Sequence, residues 1–299
     1  MFPGGEMRFE YLEPESIREA LALLSRYQGK SKIIAGGTDL MLEMRNKFIR
    51  PEVVVDITRI PGLDSIAFDD AQGLRIGALT TIRALETSAE LQKKVPILSQ
   101  AAGQLGSVAI RNVATVGGNL CNALPSAETS QALVALSAQV RIVGPGGERT
   151  MPLEDFLIGV RKTLLHPDEI LLEIIVPDPP PCTYGRYFKH SPRGSIDLAI
   201  VNIAVLMTME PDHKVCRDAR IVMGAVSPTP LRAKKAEAVL KGESIGDALI
   251  EQAAQAASDE AHPRRGSIRG SFEYKKEMVR VLTRRAIREV TGARDEMSR

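Results

Sequence analysis

Tryptophan is absent and aromatic residues make up only 4% of the 299 residues, which argues against an autonomous aromatic platform for stacking single-stranded nucleic acid. Any planar ligand would be sandwiched mainly by aliphatic side chains and backbone. Cysteine is also scarce: Cys121, Cys182 and Cys216 stand far apart, with no CxxC and no Cys/His cluster of zinc or iron–sulfur spacing. A reduced, cytoplasmic protein with no metal of its own is the expectation. His166, His190, His213 and His262 lack HxxxH or HExxH spacing and are expected at surface or satisfied core positions. A net charge of +2 gives no field of one sign to draw nucleic acid or a membrane surface. The most apolar stretch, 196–209, contains Asp197 and Asn202 and falls short of the ~20 residues that span a bilayer. The first eight residues lack the basic and then apolar regions of a signal peptide.

What is present is a chain long enough for two or three lobes, 44% hydrophobic and 25% charged, the balance of a globular protein. Ile17, Leu21 and Leu24 form a helical stripe after Pro14, 31–35 reads as a buried strand, 40–46 as helix and 53–57 as a β-branched strand. These make a small α/β lobe over 1–60. A second lobe, 61–178, mixes short strands at 65–68, 74–77 and 139–143 with helices from Thr81, from Pro96 and over 131–136. Four prolines between 177 and 181 mark the next boundary, because they fit neither a helix interior nor a central strand. The third lobe, 179–299, carries strand-like runs at 198–209 and 219–226, an alanine-rich helix at 250–258 and a final helix over 272–290. In that last helix Val279, Leu282, Ala286 and Val290 share one face, which makes a packed surface helix the better reading of its basic residues. The fold class expected is α+β.

Two glycine pairs stand out: Ala35-Gly36-Gly37-Thr38-Asp39-Leu40 and Thr115-Val116-Gly117-Gly118-Asn119-Leu120. A glycine pair beside Thr, Asp or Asn lets backbone N–H groups turn toward one anion with no Cβ in the way. Each could be a plain turn; together they suggest a nucleotide diphosphate held by loops from two parts of the fold. Thr38 could cap the following helix and bond a phosphate oxygen. Asp56 ends a strand about twenty residues on, as a ribose-binding acid of a dinucleotide fold would, but AGGTDL lacks the third glycine of GxGxxG and no Walker-type loop occurs. Near the second pair, Asn119 and Glu128 offer an amide and a carboxylate to phosphate oxygens and ribose hydroxyls. Cys121 reads as a packing residue. The segment 187–193, YFKHSPR, is either a solvated basic turn or part of a site.

Taken together, these segments resemble the FAD-binding (medium) subunit of the molybdenum hydroxylases, the group that includes aerobic carbon monoxide dehydrogenase and bacterial xanthine dehydrogenase. AGGTDL and TVGGN are similar to that family's two FAD loops, and Arg111-Asn112, PLEDF at 152–156, RKT at 161–163, DEIL at 168–171 and GSFEY at 270–274 fit as well. The resemblance implies a two-lobed, vanillyl-alcohol-oxidase-type FAD domain followed by a C-terminal α+β domain. It places Ala35, Gly36, Gly37, Thr38 and Asp39, with Thr115, Gly117, Gly118 and Asn119, at the diphosphate, and Leu40 among the cofactor-binding residues. It also places Leu171, Lys189 and Asp197 near the isoalloxazine ring, Lys189 as the catalytic residue favouring reduced, anionic flavin, with Glu128 toward ribose where many relatives have Asp.

The implied function is an FAD-carrying oxidoreductase subunit without a metal. It would pass electrons from [2Fe–2S] centres on a small subunit, fed by a large molybdopterin subunit, to NAD⁺, a quinone or another acceptor. The alternatives are a self-contained FAD oxidoreductase and a scaffold of the same fold that has lost its cofactor.

Overall fold

A computed structural model describes residues 8–69 and 73–297, without the side chains of Ser195 and 293–297; most of the N-terminal segment read for a leader lies outside them. The first lobe is a three-stranded parallel sheet. Strand Val53–Asp56 lies in its middle, flanked by Glu10–Leu12 and Ser31–Ile34. The central strand is buried along its whole length, as a parallel strand covered on its faces must be. Helix Ile17–Arg26 connects the first two strands and buries Ala20 and Leu24. Ser16 caps it by accepting from the Glu19 N–H at 3.2 Å, the cap expected of a serine before an apolar stripe.

The second lobe is an antiparallel five-stranded sheet in the order Ile66–Asp69, Gly73–Gly77, Ile170–Val176, Gln139–Gly144, Gly147–Pro152. Its middle strand, Ile170–Val176, was not among the expected elements. Six helices between Ile82 and Ala135 cover the sheet, and Leu74, Ile76, Leu85, Leu98, Leu120, Leu133 and Phe156 fill the space between them. Glu173 interrupts the apolar middle strand, and its charge is compensated there by the guanidinium groups of Arg75 and Arg141, which lie 2.7 and 2.8 Å from its carboxylate on the neighbouring strands.

The C-terminal lobe is a four-stranded antiparallel sheet, Thr183–His190, Val201–Met209, Cys216–Gly224 and Leu231–Arg232 in that order. Helices Lys234–Leu240, Asp247–Glu260 and Phe272–Met297 pack with it. The final helix runs seven residues beyond the expected 290. Its apolar stripe is buried as read. Its arginines pair within the lobe: Arg280 and Arg284 with Glu251, and Arg288 with Asp247. The 187–193 segment is not all turn, since its first four residues finish the strand Thr183–His190. No helix among the described residues is long and apolar enough to cross a membrane.

Candidate functional site

A cavity of about 860 Å³ is lined by residues of the first two lobes and by 196–198, which follow the first strand of the third. Ala35, Gly36, Gly37, Thr38, Asp39, Leu40, Thr115, Gly117, Gly118, Asn119, Glu128, Leu171 and Asp197 all line it. Residues far apart in sequence thus face one space, which a pair of unrelated turns would not produce.

The first loop follows strand Ser31–Ile34 and leads into helix Leu40–Arg45. Asp39, not Thr38, is the helix N-cap residue, and it makes no side-chain capping bond. Among the described residues the N–H groups of Gly36, Gly37, Thr38 and Asp39 have no protein acceptor. Consecutive free N–H groups on a loop entering a helix are a donor set for an anion. Gly37 has φ +68°, a conformation that glycine adopts without strain.

The second loop is built differently. Thr115 caps helix Val116–Asn122 and accepts from the Gly118 N–H at 3.1 Å. The Val116 N–H donates to Thr80 O at 3.0 Å, Gly117 N–H to Ala78 O at 2.9 Å, and Asn119 N–H to Thr115 O at 3.0 Å. The N–H groups of this loop are therefore already committed, so the expected pair of equivalent nests is one nest and one packed wall. Its glycines serve close approach: a Cβ on Gly117 would lie 2.7 Å from the Ala78 Cβ and carbonyl oxygen. The Asn119 side-chain oxygen accepts from Thr129 Oγ1 at 2.5 Å.

Acids and bases mark the walls. Burial pushes the Asp39 carboxyl above the ordinary carboxylate range, against the pull of Arg161 and a hydrogen bond with Asn122. Arg161, at the turn of a short hairpin with φ +56°, lines the cavity and pairs with Glu43. Only its three-residue motif hinted at it in the sequence; its partners are nonlocal. Burial likewise raises the Glu128 carboxyl, with Lys189 opposing and Asp39 adding to the rise. Asp197 forms a two-bond pair with Arg193, both bonds 2.8 Å, which holds its carboxyl below the usual range. Burial alone pushes the cavity-lining Cys121 thiol up to about 12, so it is inert as a nucleophile.

One candidate site residue is placed differently from expectation. Lys189 is not on the cavity wall: its side chain is 1% exposed and its ammonium pairs with Glu128 at 2.7 Å, behind the surface that Glu128 presents. Asp56 does not face the cavity either; it accepts from the Tyr11 hydroxyl and the Thr58 N–H and so closes its own strand end. With the parallel strands ordered first, third, second, this removes the dinucleotide-fold reading.

The FAD-binding domain of molybdopterin dehydrogenases matches residues 7–179. The chain belongs to that family. The C-terminal domain of carbon monoxide dehydrogenase flavoproteins matches 186–290. The chain is 34% identical to the 6-hydroxypseudooxynicotine dehydrogenase complex subunit alpha of Paenarthrobacter nicotinovorans, over 93% of each protein. It is 33% identical to the carbon monoxide dehydrogenase medium chain of Hydrogenophaga pseudoflava, over 94% of this chain and 96% of that one. A solved structure of carbon monoxide dehydrogenase from the same organism superposes with a TM-score of 0.91 at 34% identity, covering 98% of this chain and 99% of that one. The molybdopterin-dehydrogenase flavoprotein fold, an FAD-binding domain followed by a C-terminal domain, is thus the fold of this chain. Its cofactor is FAD and its class is oxidoreductase. The cavity suits that cofactor: two loops converge on it, it offers free N–H donors at 36–39, and it has apolar wall at Ile33, Leu105 and Leu171.

Proposed function

We propose that this chain is the FAD-carrying electron-transfer subunit of a multi-subunit molybdenum hydroxylase. The observation that carries the reading is the convergence of the free 36–39 N–H groups and the 115–119 wall on one cavity. In this reading Gly36, Gly37, Thr38 and Asp39 hold the diphosphate, bounded by Ala35 and Leu40. Thr115, Gly117, Gly118 and Asn119 shape the opposite wall. Glu128 accepts from cofactor hydroxyls, and Leu171 and Asp197 serve the ring end. Bound FAD supplies the redox chemistry, while the chain supplies position and electrostatics.

The role is electron transfer between [2Fe–2S] centres on a small partner subunit, served by a large molybdopterin subunit, and an external acceptor such as NAD⁺ or a quinone. It is supported by relatives named as a medium chain, an FAD-subunit and a complex subunit. Three cysteines without a disulfide fit a cytoplasmic setting. The three main sheets, one within each segment, support a division into 1–60, 61–178 and 179–299. A purified native complex tests the reading. It should contain flavin, iron and molybdopterin, and omitting this chain should remove flavin and acceptor reduction while leaving the metals. Substrate turnover by this chain alone would overturn it.

A further inference from the structure

The cavity segment 124–128 is backed by the C-terminal sheet. Asn202 Nδ2 donates to the Ala127 carbonyl at 3.2 Å and to the Tyr187 hydroxyl at 3.0 Å. The Ala225 N–H donates to Pro125 O at 2.7 Å, and the Tyr187 N–H to the side chain of Gln100 at 3.0 Å. Lys189, on the edge strand of that sheet, donates to Glu128 Oε1 at 2.7 Å and to the Gln104 carbonyl at 2.9 Å. Glu128 opens helix Glu128–Ala135 and faces the cavity; Lys189 stands behind it.

A carboxylate this buried ionises poorly unless a cation compensates it. The groups facing Glu128 are Lys189 from the C-terminal sheet, Asp39 from the first loop, and Tyr187. Asp39 disfavours its charge. Tyr187, whose own ionisation is pushed well above its ordinary range by burial and by Glu128, stays neutral. Among these groups, Lys189 is the cation.

We propose that Lys189 is a positioning residue, which never touches the cofactor but holds Glu128 charged and in one orientation at the cavity wall. The third lobe thereby sets the affinity of a cleft built mainly by the other two. This inference rests on the FAD reading above and replaces direct contact between Lys189 and the ring.

The test is FAD titration of the full-length apo chain as a function of pH, for wild type, Lys189→Met and the double variant K189M/E128Q. Wild-type affinity should be flat from about pH 6 to 8. Lys189→Met should bind about tenfold or more weakly at pH 6, the loss expected for a hydrogen bond to a charged group, and recover as pH rises and Glu128 ionises. The double variant should bind weakly with no such slope. A Lys189→Met profile parallel to wild type overturns the proposal, since a purely structural role weakens binding equally at every pH. If Lys189→Met does not fold, infrared difference spectra of wild type against Glu128→Gln decide. Glu128 ionised at pH 7 supports the role, and a protonated carboxyl band overturns it. A wild-type chain that binds no FAD overturns both this role and the proposed function, whereas parallel pH profiles overturn only the role of Lys189.

Discussion

Gly36 and Val113 meet backbone to backbone: a β-carbon built on Gly36 would lie 1.8 Å from the Val113 carbonyl oxygen. Val113 lies two residues before Thr115, the cap of the second loop's helix. The missing side chain is therefore what lets the two glycine loops share one cavity.

Gly36→Ala should accordingly cost about 1–3 kcal/mol, the usual penalty of overpacking, and weaken FAD binding more than tenfold, because the shift falls on the donor loop itself. Gly146→Ala is the control. A β-carbon there meets nothing within 4 Å, so thermal unfolding and FAD titration of that variant should match wild type. Equal behaviour of the two variants would show that the contact has no role in forming the site.

Both loops were legible in the sequence, because a glycine pair followed by Thr, Asp or Asn is a local signal. Their inequivalence was not. Two of the acceptors that occupy the second loop's N–H groups, Ala78 and Thr80, are more than thirty residues away, and no local pattern announces them. The same holds for Ile170–Val176, where Glu173 breaks the apolar run and its neutralising arginines lie on other strands. Lys189 and Glu128 were each picked out, but a pair separated by 61 residues becomes visible only when the C-terminal sheet is docked.

Arg111 ties the site to the helical layer. Its guanidinium pairs with Glu86 at 2.7 Å and donates to the carbonyls of Leu105 and Gly106, both of which line the cavity. Arg111→Met leaves these buried acceptors short of donors, at a cost of about 1–3 kcal/mol. Urea unfolding should show that loss together with a raised FAD dissociation constant. Unchanged affinity in a destabilised variant would confine Arg111 to packing.

Glu169 gives the pH signature of the cavity edge. The Arg149 guanidinium holds its carboxyl below the usual glutamate range; burial opposes this, and the His166 N–H adds to it at 2.8 Å. A carboxylate with a lowered pKa in the folded state stabilises the fold above its unfolded value of about 4.3 and loses that contribution as the pH falls through the folded value. Glu169→Gln should therefore lower stability at pH 7 by about 1 kcal/mol, allowing for screening at the partly exposed Arg149. In denaturant titrations at several pH values, the gap to wild type should narrow steadily below about pH 4.3. A gap independent of pH would mean that the ion pair contributes nothing.

Amide hydrogen exchange, resolved residue by residue with and without FAD, tests most directly how the chain holds its cofactor. Gly36, Gly37, Thr38 and Asp39 should exchange freely in the apo chain and become protected when FAD binds, while Val116, Gly117, Gly118 and Asn119 should be protected in both states. FAD binding that leaves residues 36–39 unprotected, or that newly protects 116–119 instead, would contradict the account.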